Sequence, residues 1–128
     1  MNMASPDNKS FYQILKSFSY AVNGIRTASL NERNLRFHLI SSVIVIGCSF
    51  FFSLSYIEWI VVVLAIGGMI SLELVNTAIE RVVDLITEEY HPLAEQAKDI
   101  AAGAVFVYAI TAIIIGIIIF LPKIISLL

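Results

Sequence analysis

Four side chains able to accept hydrogen bonds or bind cations recur within one short stretch: Glu73, Asn76, Glu80 and Asp84. On an α-helix turning about 100° per residue they fall within about 80° of one another, so three carboxylates and an amide share one face. Like charges this close need cations to hold them, and a divalent metal is the natural counter-charge. Lys98 follows on the next helical stretch and could face the same stripe. Carboxylates that suit Mg²⁺, a lysine that suits phosphate and a carboxylate set deep in a membrane are the parts of phosphoryl transfer to a lipid alcohol. The ordinary alternatives are a protonated Glu73 joining two helices, and a Lys98 that snorkels or pairs with Glu95.

The elements that must position these residues follow from composition. Of 128 residues, 59% are hydrophobic and 14% charged, with a mean hydropathy of +0.88. A soluble domain this short could hide only a fraction of that apolar surface. The chain is therefore expected to be an all-α integral membrane protein, a single domain over residues 1–128 with three transmembrane helices and an amino-terminal amphipathic surface helix. Met1 to Lys9 is polar and lacks the apolar core of a secretory signal, so the amino terminus is expected in the cytosol.

Over residues 10–30, Phe11, Ile14, Leu15, Phe18, Val22 and Ile25 recur at helical spacing. This amphipathic helix suits an anionic membrane surface, although packing on the protein's own spans gives the same pattern. Asn31 is placed to cap span one, residues 33–55, where Leu39 to Ile57 carries no charge. Span three, residues 92–121, is the clearest: Pro92 opens it and Pro122-Lys123 follows its long apolar run from Ile100.

Span two, residues 57–86, is less obvious. Its apolar run from Trp59 to Leu72 has 14 residues, short of the roughly 20 a crossing helix needs. Leu74, Val75, Ala78, Ile79 and Val82 keep the following segment apolar on its other sides, so the helix is expected to continue through the polar stripe. If it enters the hydrocarbon near Glu58 and leaves near residue 78, Glu73 lies roughly 8 Å below the cytosolic boundary. Glu80 and Asp84 lie at or above that boundary.

Lys9, Lys16, Arg26, Arg33 and Arg36 precede span one, Arg81 and Lys98 flank the second loop, and only Lys123 follows. This bias puts the amino terminus and the stripe in the cytosol and the carboxyl terminus outside. Small residues at Gly67, Gly68, Ser71, Ala94, Ala97, Ala101 and Ala104 would let helices approach closely. Three helices make a thin monomer, so an oligomer is expected.

Several functions are disfavoured. A net charge of −2 offers no excess for phosphate backbones, arguing against nucleic-acid binding. The single cysteine, Cys48, reads as a small buried hydrophobe, and no GxxxxGK[ST], HExxH or repeated-cysteine motif is present. His38 reads as interfacial packing and His91 as a turn residue.

Glu73-Leu74-Val75-Asn76-Thr77-Ala78-Ile79-Glu80-Arg81-Val82-Val83-Asp84 resembles the signature ExxNxAIExxxD, and Ala97-Lys98-Asp99-Ile100-Ala101-Ala102-Gly103-Ala104-Val105 resembles AKDxxxxAV. Both blocks belong to the small prokaryotic diacylglycerol kinases, which include the undecaprenol kinases of Gram-positive bacteria. Asn31-Glu32-Arg33-Asn34 is similar to the acidic turn before that family's first span, and the resemblance extends from Phe11 onward.

The resemblance implies a homotrimer in the bacterial plasma membrane that transfers the ATP γ-phosphate to a lipid hydroxyl with Mg²⁺. Residue by residue, it implies that Glu73 is the general base, that Glu32 and Glu80 are metal carboxylates, and that Asn76 and Asp84 support them. Lys98 corresponds to the phosphate-contacting lysine, and Asp99, with Glu80 and Asp84, lies on the nucleotide side. Gln13 departs from the pattern, since the proteobacterial branch has an arginine there.

Glu32-Arg33-Asn34, His91-Pro92-Leu93-Ala94 and Ala101 to Val105 look like the Gram-positive branch. That likeness implies undecaprenol as acceptor, with diacylglycerol the alternative. The competing class is a small proton-coupled transporter, which needs one membrane carboxylate but neither Lys98 nor Glu32.

Overall fold

The computed structural model describes residues 6–128, with side chains from Ser10 onward. The polar opening Met1 to Lys9, with the charge of Lys9, lies outside the described side chains. Four helices follow one another: α1 (Pro6–Asn31), α2 (Arg33–Phe51), α3 (Tyr56–Ile86) and α4 (Pro92–Ile125). The last three are long and apolar enough to cross a membrane.

α1 and α2 are separated by one extended residue, Glu32, at φ −101° and ψ 117°. Asn31 does not cap α2 as expected from sequence. It is the last residue of α1, and its amide donates to the Thr27 carbonyl at 2.8 Å. The Arg36 guanidinium donates to the Leu30 carbonyl at 2.7 Å. The second bond satisfies a last-turn carbonyl that the helix end leaves orphaned. Ala28 and Leu35 are buried at this joint, whereas every side chain from Ser10 to Thr27 is exposed within the chain. The apolar side of α1 is therefore not covered by spans of the same chain.

α2 ends at Phe51, four residues short of the sequence expectation. Leu54 N–H donates to the Ser49 carbonyl and Ser53 N–H to the Phe50 carbonyl, both at 3.1 Å, with Ser53 in the left-handed region at φ 48°. That is a Schellman stop, and the pattern of apolar residues continuing through it hides it from periodicity. α3 then starts at once, because Ser55 and Glu58 form a reciprocal capping box. Glu58 also meets Lys123 of α4 at 3.1 Å, tying the two helices together at this end. Beneath that tie, Leu54, Val62 and Ile119 form a buried cluster with Phe52, Trp59 and Phe120 around it.

At the opposite end Pro92 occupies the first turn of α4, and His91 caps it, Nδ1 accepting from Leu93 N–H at 3.2 Å. α4 runs past Pro122 to Ile125, beyond the expected end at 121. A proline near a helix end forfeits one hydrogen bond without forbidding the last turn. Cys48 is half-buried rather than fully enclosed, and the neighbouring Ser49 is the buried residue.

The α3/α4 seam depends on one glycine. Tyr108 of α4 lies across Gly68 and donates its hydroxyl to the Leu64 carbonyl at 2.9 Å. A Cβ at Gly68 would run into Tyr108 Oη and Cζ, whereas at Gly67 nothing lies within 4 Å. Gly68→Ala should destabilise the protein by about 1–3 kcal/mol, the usual penalty of overpacking. Tyr108→Phe, losing only the hydroxyl's bond, should cost about 0.5–1.5 kcal/mol. Thermal unfolding in detergent, with Gly67→Ala as control, checks the order of the three.

Candidate active site

The buried residues of α3 are Val62, Met69, Glu73, Asn76 and Thr77. Their spacing is that of a single packing face, so the polar stripe continues the apolar face that packs within the chain instead of facing lipid. Val75 and Val82, on the other side, are exposed. Along the stripe, exposure rises toward the α3/α4 turn: Glu73 is 4% exposed, Asn76 9%, Glu80 half-buried and Asp84 exposed.

Each member of the stripe has a distinct partner. Glu73 Oε1 lies 3.3 Å from His38 Nε2 on α2. Asn76 Nδ2 donates to Glu80 Oε1 at 2.9 Å, while Asn76 Oδ1 is buried without a partner. Asp84 meets Lys98 of α4 at 2.5 Å. Lys98 thus faces the carboxylate stripe rather than pairing with Glu95. Glu32, set by the extended residue between α1 and α2, is reached by Arg81 of α3 at 3.4 Å.

Asp99 stands apart from this network. It is exposed, one position or about 100° around the helix from Lys98, and has no ion pair among the described residues. Nor do three or more Asp, Glu, His or Cys side chains converge as a metal cluster among the described residues. Two carboxylates suffice for Mg²⁺ when substrate phosphates complete its shell, and hard oxygen donors are the kind present here. The unpaired Asn76 Oδ1 beside Glu80 is a further oxygen donor.

His38 and Arg81 are the two contributors that sequence reasoning missed. His38, which the sequence alone assigns to interfacial packing, contacts Glu73 and lines a cleft of about 190 Å³ between α2, α3 and α4. The available signal was antiparallel register: a residue near the start of α2 must lie beside one toward the end of α3. Arg81 carried no local signal, because its partner Glu32 is remote in sequence.

The model of the family described as prokaryotic diacylglycerol kinase matches residues 19–120. The undecaprenol kinase of Bacillus subtilis is 52% identical over 122 residues, which cover 94% of this chain and 99% of that protein. The diacylglycerol kinase of Synechocystis sp. is 42% identical, over 95% of this chain and 73% of that protein. The diacylglycerol kinase of Escherichia coli is 31% identical, over 81% of this chain and 85% of that protein. With three membrane-length helices, a buried carboxylate, and a lysine paired to the exposed end of the same stripe, the chain belongs to the prokaryotic diacylglycerol kinase family of membrane lipid kinases.

Proposed function

We propose that this chain transfers the γ-phosphoryl group of ATP to the hydroxyl of undecaprenol. The observation that carries the mechanism is the exposure gradient along α3, from buried Glu73 to exposed Asp84. A lipid hydroxyl arrives from the hydrocarbon and a nucleotide from water, so the transferring group lies between these two ends. Glu73 accepts the hydroxyl proton as the lipid oxygen attacks phosphorus. Lys98 leaves Asp84 to meet the phosphoryl oxygens, and Asn76 fixes the Glu80 carboxylate. Asp99 flanks the nucleotide on the same helix.

Glu32 and Glu80 are the residues that would hold Mg²⁺, and Arg81 is the side chain that pairs with Glu32 here. When bound, the ion supplies positive charge that neutralises the phosphates.

The amino terminus and the stripe lie on the cytosolic side, the carboxyl terminus lies outside, and α1 rests on the membrane surface, supported by the Lys and Arg distribution and the uncovered apolar side of α1. Three copies assemble as a homotrimer. Phe106, Val107, Ile113 and Ile117 on α4, exposed within one chain, provide apolar surface for lipid and neighbouring copies.

The similarity to a protein named undecaprenol kinase supports the acceptor, and the relatives named diacylglycerol kinase make diacylglycerol the second reading. Purified protein in mixed micelles with Mg-ATP should show a higher kcat/KM for undecaprenol than for diacylglycerol. A preference of about tenfold or more for diacylglycerol would overturn the acceptor while keeping the kinase mechanism. A proton-coupled transporter would consume no ATP with either lipid.

A further inference from the structure

Glu73 has a handicap as a base: its side chain is 5% exposed, so a proton taken there has little access to water. Among the described residues, His38 is the one basic side chain within ion-pair distance of it, at 3.3 Å, and it is 21% exposed. The cleft beside the pair offers no competing titratable group. α2 contributes Ser41 and Ser42 to it, and α3 and α4 contribute residues such as Met69 and Ile115. The Phe37 ring and the imidazole meet nearly at right angles, with centroids 5.5 Å apart.

We propose that His38 is the proton outlet of Glu73: the carboxyl passes each proton it takes from the lipid to His38, which delivers it to water. The inference rests on Glu73 being the base. In the transfer, the lipid oxygen bonds to the γ-phosphorus and the bond to the ADP oxygen breaks, its electron pair leaving with ADP. The hydroxyl proton goes to Glu73. The resulting carboxylic acid gives that proton to the unprotonated ring nitrogen of His38, restoring the carboxylate, and the imidazolium releases it to solvent. His38 touches neither lipid nor nucleotide in this scheme, so it acts through Glu73.

The prediction separates the first turnover from those that follow. In His38→Gln, Glu73 can still take one proton, so rapid-quench kinetics with labelled ATP should show a burst of phosphorylated lipid. The burst rate should stay within about threefold of the parent, followed by a steady-state kcat lower by about 10²-fold. The KM for the lipid should hardly change. Added imidazole should raise the kcat of His38→Ala by at least about tenfold, because a free base can stand in for the missing ring.

A parent-like kcat in His38→Gln would overturn the outlet. So would loss of burst and steady state together without imidazole rescue, which is what a merely structural role gives. Glu73→Gln, measured alongside, keeps the two ideas apart. Parent-like turnover there removes the base and the outlet together, whereas an inactive Glu73→Gln with a fully active His38→Gln removes the outlet alone.

Discussion

Glu73→Gln should transfer phosphate about 10²- to 10⁴-fold more slowly than the parent, the range a positioned general base contributes. The amide is nearly the same size and still fits the face of α3 that holds Met69 and Asn76. What it lacks is a charged oxygen able to take the hydroxyl proton. Stability should move little, or even rise, because a buried carboxylate carries a desolvation penalty that the neutral amide avoids. The loss of the charge opposite His38 acts in the other direction. Steady-state kinetics beside thermal unfolding therefore give a clear pattern: activity gone, fold retained. If Glu73 were only a hydrogen-bonded strut between helices, Gln would preserve the strut and turnover would survive.

The legible part of this molecule was whatever repeats with the period of a helix. The stripe from Glu73 to Asp84 could be placed on one face because side-chain direction follows from spacing, and α3 does continue through it to Ile86. Length against hydrocarbon thickness also divides the stripe by expected depth, and the chain buries Glu73 and Asn76 while leaving Asp84 exposed. Features set by contacts between remote segments were not legible. Asn31 has the right chemistry for an N-cap, yet it bonds backward to Thr27, because α1 runs up to Glu32 without a break. The stop at Phe51 sits within apolar sequence and uses Ser53 where a glycine would have announced it. His38 and Arg81 acquire meaning only from Glu73 and Glu32, far away in the chain.

The pairing of Lys98 with Asp84 bears directly on how the nucleotide is engaged. Side-chain exposures of 38% and 57% leave this ion pair only partly covered by the chain. An exposed pair contributes little to stability, so a phosphate can draw the lysine away at small cost. On the proposed mechanism, Asp84 holds the ammonium at the exposed end of the stripe until a nucleotide arrives.

Lys98→Met should consequently fold as the parent does and lose activity on the order of 10²- to 10³-fold in kcat, the scale seen when one preorganised donor to a developing charge is removed. Lys98→Arg should recover only part of that loss, since a planar fork places its charge differently from a compact ammonium on a flexible stem. Asp84→Asn should be much milder than either, because it frees the lysine without removing it. A snorkelling Lys98 predicts a different ordering, with Arg fully active, Met nearly so, and Asp84→Asn silent. Measuring kcat and the KM for ATP across the three variants separates the two. If Lys98→Met kept parent-like kcat, the lysine would have to be reassigned to helix packing, and the positive charge beside the phosphoryl group would have to come from another source.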